Sequence, residues 1–232
     1  MYRFLDARGV YLFIKRFFDV MISIMAISFL IIPWIVISCI IKLKSFGPIF
    51  YKPQRSGKNG KPFVLYKFRS MRCDSGRIHA TTLRNDSRVF PFGAFLRKSK
   101  LDETPQFINI LKGEMTIIGP RPEDLANVNR LYLGKYSEIL SVKPGLSSPA
   151  SIFDYTHGET YSNEEEYIKE FEPKKLDLDL YYVHKRSFIY DMEIFFRTIV
   201  AIIQVLLGKK NIKEPRELKI IYNSNNKTGY RN

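Results

Sequence analysis

The chain has 232 residues, 45% of them hydrophobic, with 37 Lys and Arg against 23 Asp and Glu for a formal charge of +14. That apolar content excludes disorder throughout, and two cysteines with three scattered histidines exclude a disulfide framework and argue against a His- or Cys-rich zinc site. The charge is one-sided: residues 1–121 carry 21 basic and 7 acidic side chains and residues 122–232 carry 16 of each, so the first half is built to meet nucleic acid, anionic lipid or a polyphosphate.

From Val20 to Ile41 there are 22 residues without a formal charge. A helix of that length reaches roughly 33 Å, against about 30 Å of bilayer hydrocarbon. Membrane insertion is expected, with a buried core helix as the alternative. The run is too long for a signal peptide and lacks its small-residue cleavage site. Pro33 has no N–H and its ring clashes with the preceding turn, which predicts a kink or break near Ile32. Arg8, Lys15 and Arg16 precede the run, and Lys42, Lys44, Lys52 and Arg55 follow it. Basic flanks on both sides suit a helix that enters and returns to one face; an ordinary kinked span stays open. Asp19, three residues after Arg16, is placed to pair with it on one helix face.

Downstream, Phe46-Gly47-Pro48 and the stretch from Pro53 to Gly60 mark turns, and IFYK and PFVLYKFRSM read as short strands. Residues 74–92 are polar and predict a loop. Phe95 to Leu111 predicts a helix interrupted around Pro105. Leu125–Leu140 and Glu164–Phe171 read as solvated helices. Phe188–Leu207 is apolar at helical spacing, but its uncharged part, Thr198–Leu207, is too short to span. It suits a helix on the core or in the membrane interface. The polar tail after Gly208 is expected to be mobile.

Two groups of residues could carry chemistry. Asp102 and Glu103 are neighbours that point about 100° apart on a helix, so they cannot do the same job. One could attack or accept a proton while the other binds a cation. Alone, such a dipeptide is ordinary solvated surface. The second group is basic: Lys67, Arg69 and Arg72 in YKFRSMR, then Arg84, Arg88, Arg97, and Arg121 held between two prolines in IIGPRPE. A stiffly held guanidinium suits phosphate oxygens, although a basic face on anionic lipid has the same composition. The glycine-rich nucleotide loops are absent, so phosphates would be held by Arg, Lys and a metal.

In order along the chain stand KRFFD, Pro33, KSFGPIFYKPQRSGKNGKPFVLYKFRSMR, NDSRVFPFGAFLRKSKLDETPQFINILKGEMTIIGPRP, VKPGL and LDLDLYYVHKRSFIYDMEIFFRTI. Together, over roughly residues 13–207, these blocks resemble the bacterial sugar transferase family, the monotopic polyprenyl-phosphate phosphoglycosyl transferases, in its short form. The resemblance implies an α+β, mainly helical fold. Residues 1–45 would hold a re-entrant membrane helix broken at Pro33, 46–207 a cytoplasmic catalytic domain, and 208–232 the tail. It implies transfer of a sugar 1-phosphate from a UDP-sugar to polyprenyl phosphate, with release of UMP. Asp102 would be the nucleophile, through an aspartyl phosphosugar, and Glu103 the ligand of Mg²⁺. Lys67, Arg69, Arg88, Arg97 and Arg121 match basic motif positions suited to phosphate, and Pro144-Gly145 the nucleotide-sugar region.

The implied partners are therefore a UDP-sugar, polyprenyl phosphate and anionic membrane lipids, with no nucleic acid; a homo-oligomer is compatible. The implied location is the bacterial inner membrane, with the site on the cytoplasmic face. Two departures stand out: Ile32 precedes Pro33 where a serine is expected, and Pro144-Gly145-Leu146 continues as SSPASIF rather than T-G-x-A-Q. A basic lipid- or nucleic-acid-binding protein explains the charge but gives Asp102-Glu103 no role. A silent scaffold leaves the intact blocks unused. A metal-dependent sugar-nucleotide pyrophosphatase would act without the lipid phosphate.

Overall fold

The first helix, α1, runs from Ala7 to Lys44 with Pro33 inside it. In this computed structural model, which describes residues 7–73, 88–158, 164–209 and 212–227, the helical assignment continues through Pro33 without the expected break. A proline removes one ladder hydrogen bond and leaves the turns on either side intact. Ser23, Ser28 and Ser38 each return their hydroxyl proton to the carbonyl four residues back, which satisfies a polar group inside an apolar helix. Only 11% of the most apolar window of α1 is buried, and Phe13, Phe29, Ile32 and Ile35 face outward. Among the described residues this is the one helix long and apolar enough to cross a membrane.

Four short strands follow. β1 (Phe50–Tyr51) pairs antiparallel with β4 (Lys67–Phe68), and β2 (Gln54–Ser56) with β3 (Pro62–Val64). The loop expected over 74–92 lies outside the described residues up to position 87. Helices α2 (Pro91–Lys98) and α3 (Gln106–Lys112) lead to β5 (Thr116–Ile118), which pairs in parallel with β6 (Gly145–Ser147). α4 (Leu125–Leu131) and a 3₁₀ segment bridge these two strands. α5 (Pro149–His157), α6 (Glu164–Glu166), a π-helical turn, α7 (Glu172–Lys185), α8 (Phe188–Leu206) and α9 (Arg216–Lys227) complete the chain. The architecture is mainly helical, as expected.

Tyr11 and Lys15 of α1 reach Asp191, Lys15 reaches the Ile118 carbonyl as well, and three further residues seat the helix on the domain. The Arg16 guanidinium donates to the carbonyls of Ile110 (2.6 Å) and Leu111 (2.9 Å) at the C-terminal end of α3, where a helix has unsatisfied acceptors and negative partial charge. Asp19 accepts from the Thr116 hydroxyl (2.6 Å) and the Ile117 N–H (3.0 Å) on β5. Trp34 Nε1 donates to Thr104 Oγ1 at 2.9 Å. The expected Arg16–Asp19 pair is thus replaced: Arg16 adds donors at the carbonyl end of α3, and Asp19 takes the Thr116 hydroxyl and the Ile117 N–H of β5. Beyond Trp34, Ile37 and Ile41 pack with Phe68, Phe90 and Leu96.

The main core joins Phe63, Leu65, Ile110, Met115, Ile117, Ile118, Tyr182, Tyr190 and Ile194. α8 turns Tyr190, Asp191, Ile194 and Ala201 inward and leaves Ile189, Phe196, Ile199, Val200 and Ile203 exposed. It therefore packs on the core with one face and presents an apolar stripe with the other. The tail does more than trail. α9 buries Glu217 and Leu218, and Glu217 accepts from Arg197 and from the Tyr190 hydroxyl (2.8 Å).

β5 and β6 meet through glycine. Gly145 N–H donates to Pro120 O at 2.7 Å, and a Cβ on Gly145 would lie 2.1 Å from Gly119 N. No side chain fits there. Gly145→Ala is expected to cost about 3 kcal/mol of stability, read as a lowered unfolding temperature of the detergent-solubilised protein; an unchanged transition would show that the two backbones do not pack this closely.

Candidate active site

The acidic pair sits between two helices in a turn of its own. α2 ends at Lys98, Lys100 adopts a left-handed conformation (φ 59°, ψ 12°), and Leu101–Glu103 form a single 3₁₀ turn before Pro105 opens α3. The interruption expected at Pro105 thus begins earlier, at Lys100. A lysine with positive φ carries a backbone cost of order 1 kcal/mol. Thr104 donates to the Leu101 carbonyl at 2.7 Å while it accepts from Trp34. The turn is therefore tied directly to the apolar helix.

Both carboxylates are buried: Asp102 is 1% exposed and Glu103 6%. Lys67, on β4, reaches both, with Nζ 2.8 Å from Asp102 Oδ2 and 3.2 Å from Glu103 Oε1. Glu103 Oε1 also meets Arg121 at 3.1 Å and Lys100 at 3.6 Å. Burial alone would raise the Glu103 pKa, but Lys100, Arg121 and Lys67 together hold it well below the usual carboxylate range. The pull is mutual, and Glu103 foremost raises Arg121. Asp102 differs. Among the described residues neither of its oxygens accepts a hydrogen bond, and the Lys67 contact lacks hydrogen-bond alignment. Its charge is compensated while the acceptor capacity of the carboxylate stays unused within the chain.

Of the residues marked in the sequence, Lys67, Asp102, Glu103 and Arg121 come together. Pro144 and Gly145 support them: Pro144 O accepts from Thr116 N at 2.9 Å, and the Gly145–Pro120 bond fixes the loop that carries Arg121. Arg97 lies in the last turn of α2, and its carbonyl accepts from Lys100 N–H at 3.2 Å. Arg88 stands beside the Met71–Val89 bridge, its carbonyl accepting from Arg72 N–H at 2.8 Å. Arg69 is elsewhere. Its guanidinium is buried against the carbonyls of Ser45 (2.6 Å) and Phe46 and against Cys73 Sγ (3.1 Å). It caps the end of α1 instead of facing the carboxylates.

Sequence reasoning missed a second group on α5 and α7. Asp154 lies 3.6 Å from Lys175 Nζ and accepts from the Tyr167 hydroxyl at 3.1 Å. Asp179 is buried one helical turn beyond Lys175, hydrogen-bonded by Ser148, with Oδ1 lacking any partner. The Lys175/Asp179 spacing of four was the available signal. Burial pushes Asp179 up to about 7, with the Ser148 bond and Lys175 opposing. Between pH 4 and 7 the folded protein therefore keeps a proton that the unfolded chain has lost, so stability falls as pH rises, on the order of 1 kcal/mol per unit. Asp179→Asn should remove that slope, gaining on the parent from pH 4 to 7 and levelling above, in unfolding temperatures measured across that range. Parallel pH curves would place the Asp179 pKa near its ordinary value.

The profile of the bacterial sugar transferase family matches residues 10–205. UDP-glucose:undecaprenyl-phosphate glucose-1-phosphate transferase of Escherichia coli (strain K12) is 37% identical over 197 residues, 82% of this chain and 40% of that protein. UDP-N-acetylgalactosamine-undecaprenyl-phosphate N-acetylgalactosaminephosphotransferase of Aeromonas hydrophila is 35% identical over 198 residues, 84% of this chain and 44% of that one. The chain spans less than half the length of these two relatives. The exopolysaccharide production protein PSS of Rhizobium leguminosarum bv. phaseoli is 35% identical over 198 residues, covering 82% of this chain and 95% of that protein. With the Asp102–Glu103 turn, Lys67 and Arg121 in one place, the chain belongs to the bacterial sugar transferase family.

Proposed function

We propose that this protein transfers a sugar 1-phosphate from a UDP-sugar to polyprenyl phosphate and releases UMP, as a membrane step of polysaccharide synthesis. The observation that carries the reading is Asp102, buried, contacted by Lys67 and free of hydrogen bonds. An Asp102 oxygen attacks the sugar-bearing phosphorus, the bond from that phosphorus to the bridging oxygen breaks, and UMP leaves with that oxygen. An oxygen of polyprenyl phosphate then attacks the same phosphorus. The aspartyl bond breaks, Asp102 is regenerated, and the product is a polyprenyl-diphosphate sugar. Lys67, Lys100 and Arg121 supply fixed positive charge where negative charge gathers in both steps.

A Mg²⁺ ion fits the donor set. Among the described residues no three His, Cys, Asp or Glu side chains converge, but Mg²⁺ is commonly held by one or two carboxylates plus substrate phosphates. Lys67, Lys100 and Arg121 all meet Glu103 Oε1, and no described ion pair or hydrogen bond takes Oε2. Glu103 would hold the ion, which supplies charge neutralisation at the diphosphate.

The proposed setting is the cytoplasmic face of the inner membrane, with α1 re-entrant. Arg8, Lys15 and Arg16 before the apolar run and Lys42 and Lys44 after it would then both meet the same anionic face. The apolar stripe of α8 would lie along the same interface.

Detergent-purified protein given Mg²⁺, a UDP-sugar and polyprenyl phosphate should release UMP, and Asp102→Asn should lower the rate at least about 10³-fold while still inserting in membranes. Lipid-independent turnover would point to a pyrophosphatase instead. For topology, single cysteines at Arg8 and Lys44, in a background with Cys39 and Cys73 replaced by Ser, should both resist an impermeant maleimide in intact spheroplasts. Both should label after lysis. Labelling of one site in intact cells would establish a span.

A further inference from the structure

The transfer chemistry leaves the α5–α7 group without a task. Asp154, Lys175 and Tyr167 form a closed triangle, since Lys175 Nζ also donates to the Tyr167 hydroxyl at 3.1 Å. The Asp154 and Lys175 side chains keep 27% and 17% of their exposure. They are neither core nor ordinary surface.

Two routes place this wall next to the acidic turn. Lys100 Nζ, 3.6 Å from Glu103, lies 4.6 Å over the ring of Tyr155, whose hydroxyl donates to the Lys98 carbonyl. Arg121, 3.1 Å from Glu103, acts on Asp154 from the other side. Burial works to raise the Asp154 carboxyl, but Lys175, Arg121 and Lys100 draw it below its ordinary value. On the first route one long side chain, Lys100, separates Glu103 from α5.

The chemistry of the wall differs from that of the turn. Asp154 and Lys175 cancel each other's charge, so together they make a poor anion site. With the Tyr167 proton given to Asp154 Oδ1, the second Asp154 oxygen and the further Lys175 protons set an acceptor beside a donor, which matches groups that both donate and accept, as hydroxyls do. The Tyr155 ring, with Lys100 Nζ over one face, adds aromatic surface suited to the C–H side of a pyranose. Position decides which part of the donor arrives here. On a UDP-sugar the group bonded to the attacked phosphorus is the sugar, whereas the base lies beyond a second phosphate and a ribose.

We propose that Asp154, Tyr155 and Lys175 form the subsite that reads the hydroxyls of the donor's sugar and so selects among UDP-sugars carrying the same diphosphate. This rests on the transfer reaction proposed above.

The test is kcat/KM for UMP release with UDP-glucose, UDP-galactose and their N-acetylamino counterparts, for the parent, Asp154→Asn and Tyr155→Leu. Inhibition by UMP is measured alongside. The expected result is a change of about tenfold or more in the ratio between the best donor and the others, with UMP inhibition unchanged. A general folding defect would scale all donors together. Tyr155→Leu leaves the Asp154–Lys175 pair in place and carries the test if Asp154→Asn does not fold. Unchanged donor ratios in an active parent overturn the subsite alone. So does weaker UMP inhibition with unchanged ratios, which would assign the wall to the nucleotide. A parent that releases no UMP from any donor overturns the transfer reaction and the subsite with it.

Discussion

Two adjacent carboxylates with almost no access to water are the constraint around which this protein is arranged. Withdrawing each from water costs several kcal/mol even after relaxation, and the compensation must come from cations delivered by other parts of the chain. Lys67 arrives on β4, fixed by pairing with β1; Lys100 arrives through a left-handed backbone turn; Arg121 arrives on a loop clamped between β5 and β6. The Gly119–Gly145 contact makes sense in this light. It lets two backbones approach closely enough to hold the Arg121 loop in place. The short strands make little sheet, but the β1–β4 pair fixes Lys67 and the β5–β6 pair fixes the Arg121 loop.

The same turn is bound to the apolar helix. Trp34 reaches Thr104, and Thr104 in turn holds Leu101, the first residue of the 3₁₀ turn. Arg16 holds the far end of α3, and Asp19 holds β5. In the proposed setting the depth of α1 in a bilayer would therefore set the height of Asp102 relative to the lipid head groups. A lipid-borne phosphate moves in one plane, so a nucleophile that must pass its cargo to that phosphate gains from a fixed height.

How much of this was legible in the sequence depends on the range of the signal. The apolar run and the glycine and proline turns are local and could be read directly, while the mainly helical class came with the resemblance. Motif order marked Lys67 and Arg121 as basic positions suited to phosphate, but that both stand against the acidic pair is visible only in the fold. Arg69 and the Arg16–Asp19 pair went otherwise for one physical reason. Helical and strand periodicity says which side chains share a face, but not which distant carbonyls or N–H groups lack partners. Arg69 is drawn to the exposed end of α1, Arg16 to the end of α3 and Asp19 to β5. Asp154 was silent in the same way, since its neighbours come from α7 and from the loop after β5.

Charge also explains why such a site would work in two displacements. A UDP-sugar and a polyprenyl phosphate each bring about two negative charges near neutral pH. Held together, they would repel one another beside two carboxylates. In the proposed transfer they never meet. Attack by Asp102 exchanges a carboxylate for an aspartyl phosphodiester of the same charge, and UMP carries away the two charges that the donor brought. The lipid phosphate then enters a site with the charge that the donor found. Lys67, which spans Asp102 and Glu103, can keep its contact with Glu103 while Asp102 is occupied. In that proposal one set of cations would serve both half-reactions without moving, with the buried Glu103 compensated throughout and Asp102 held by charge alone.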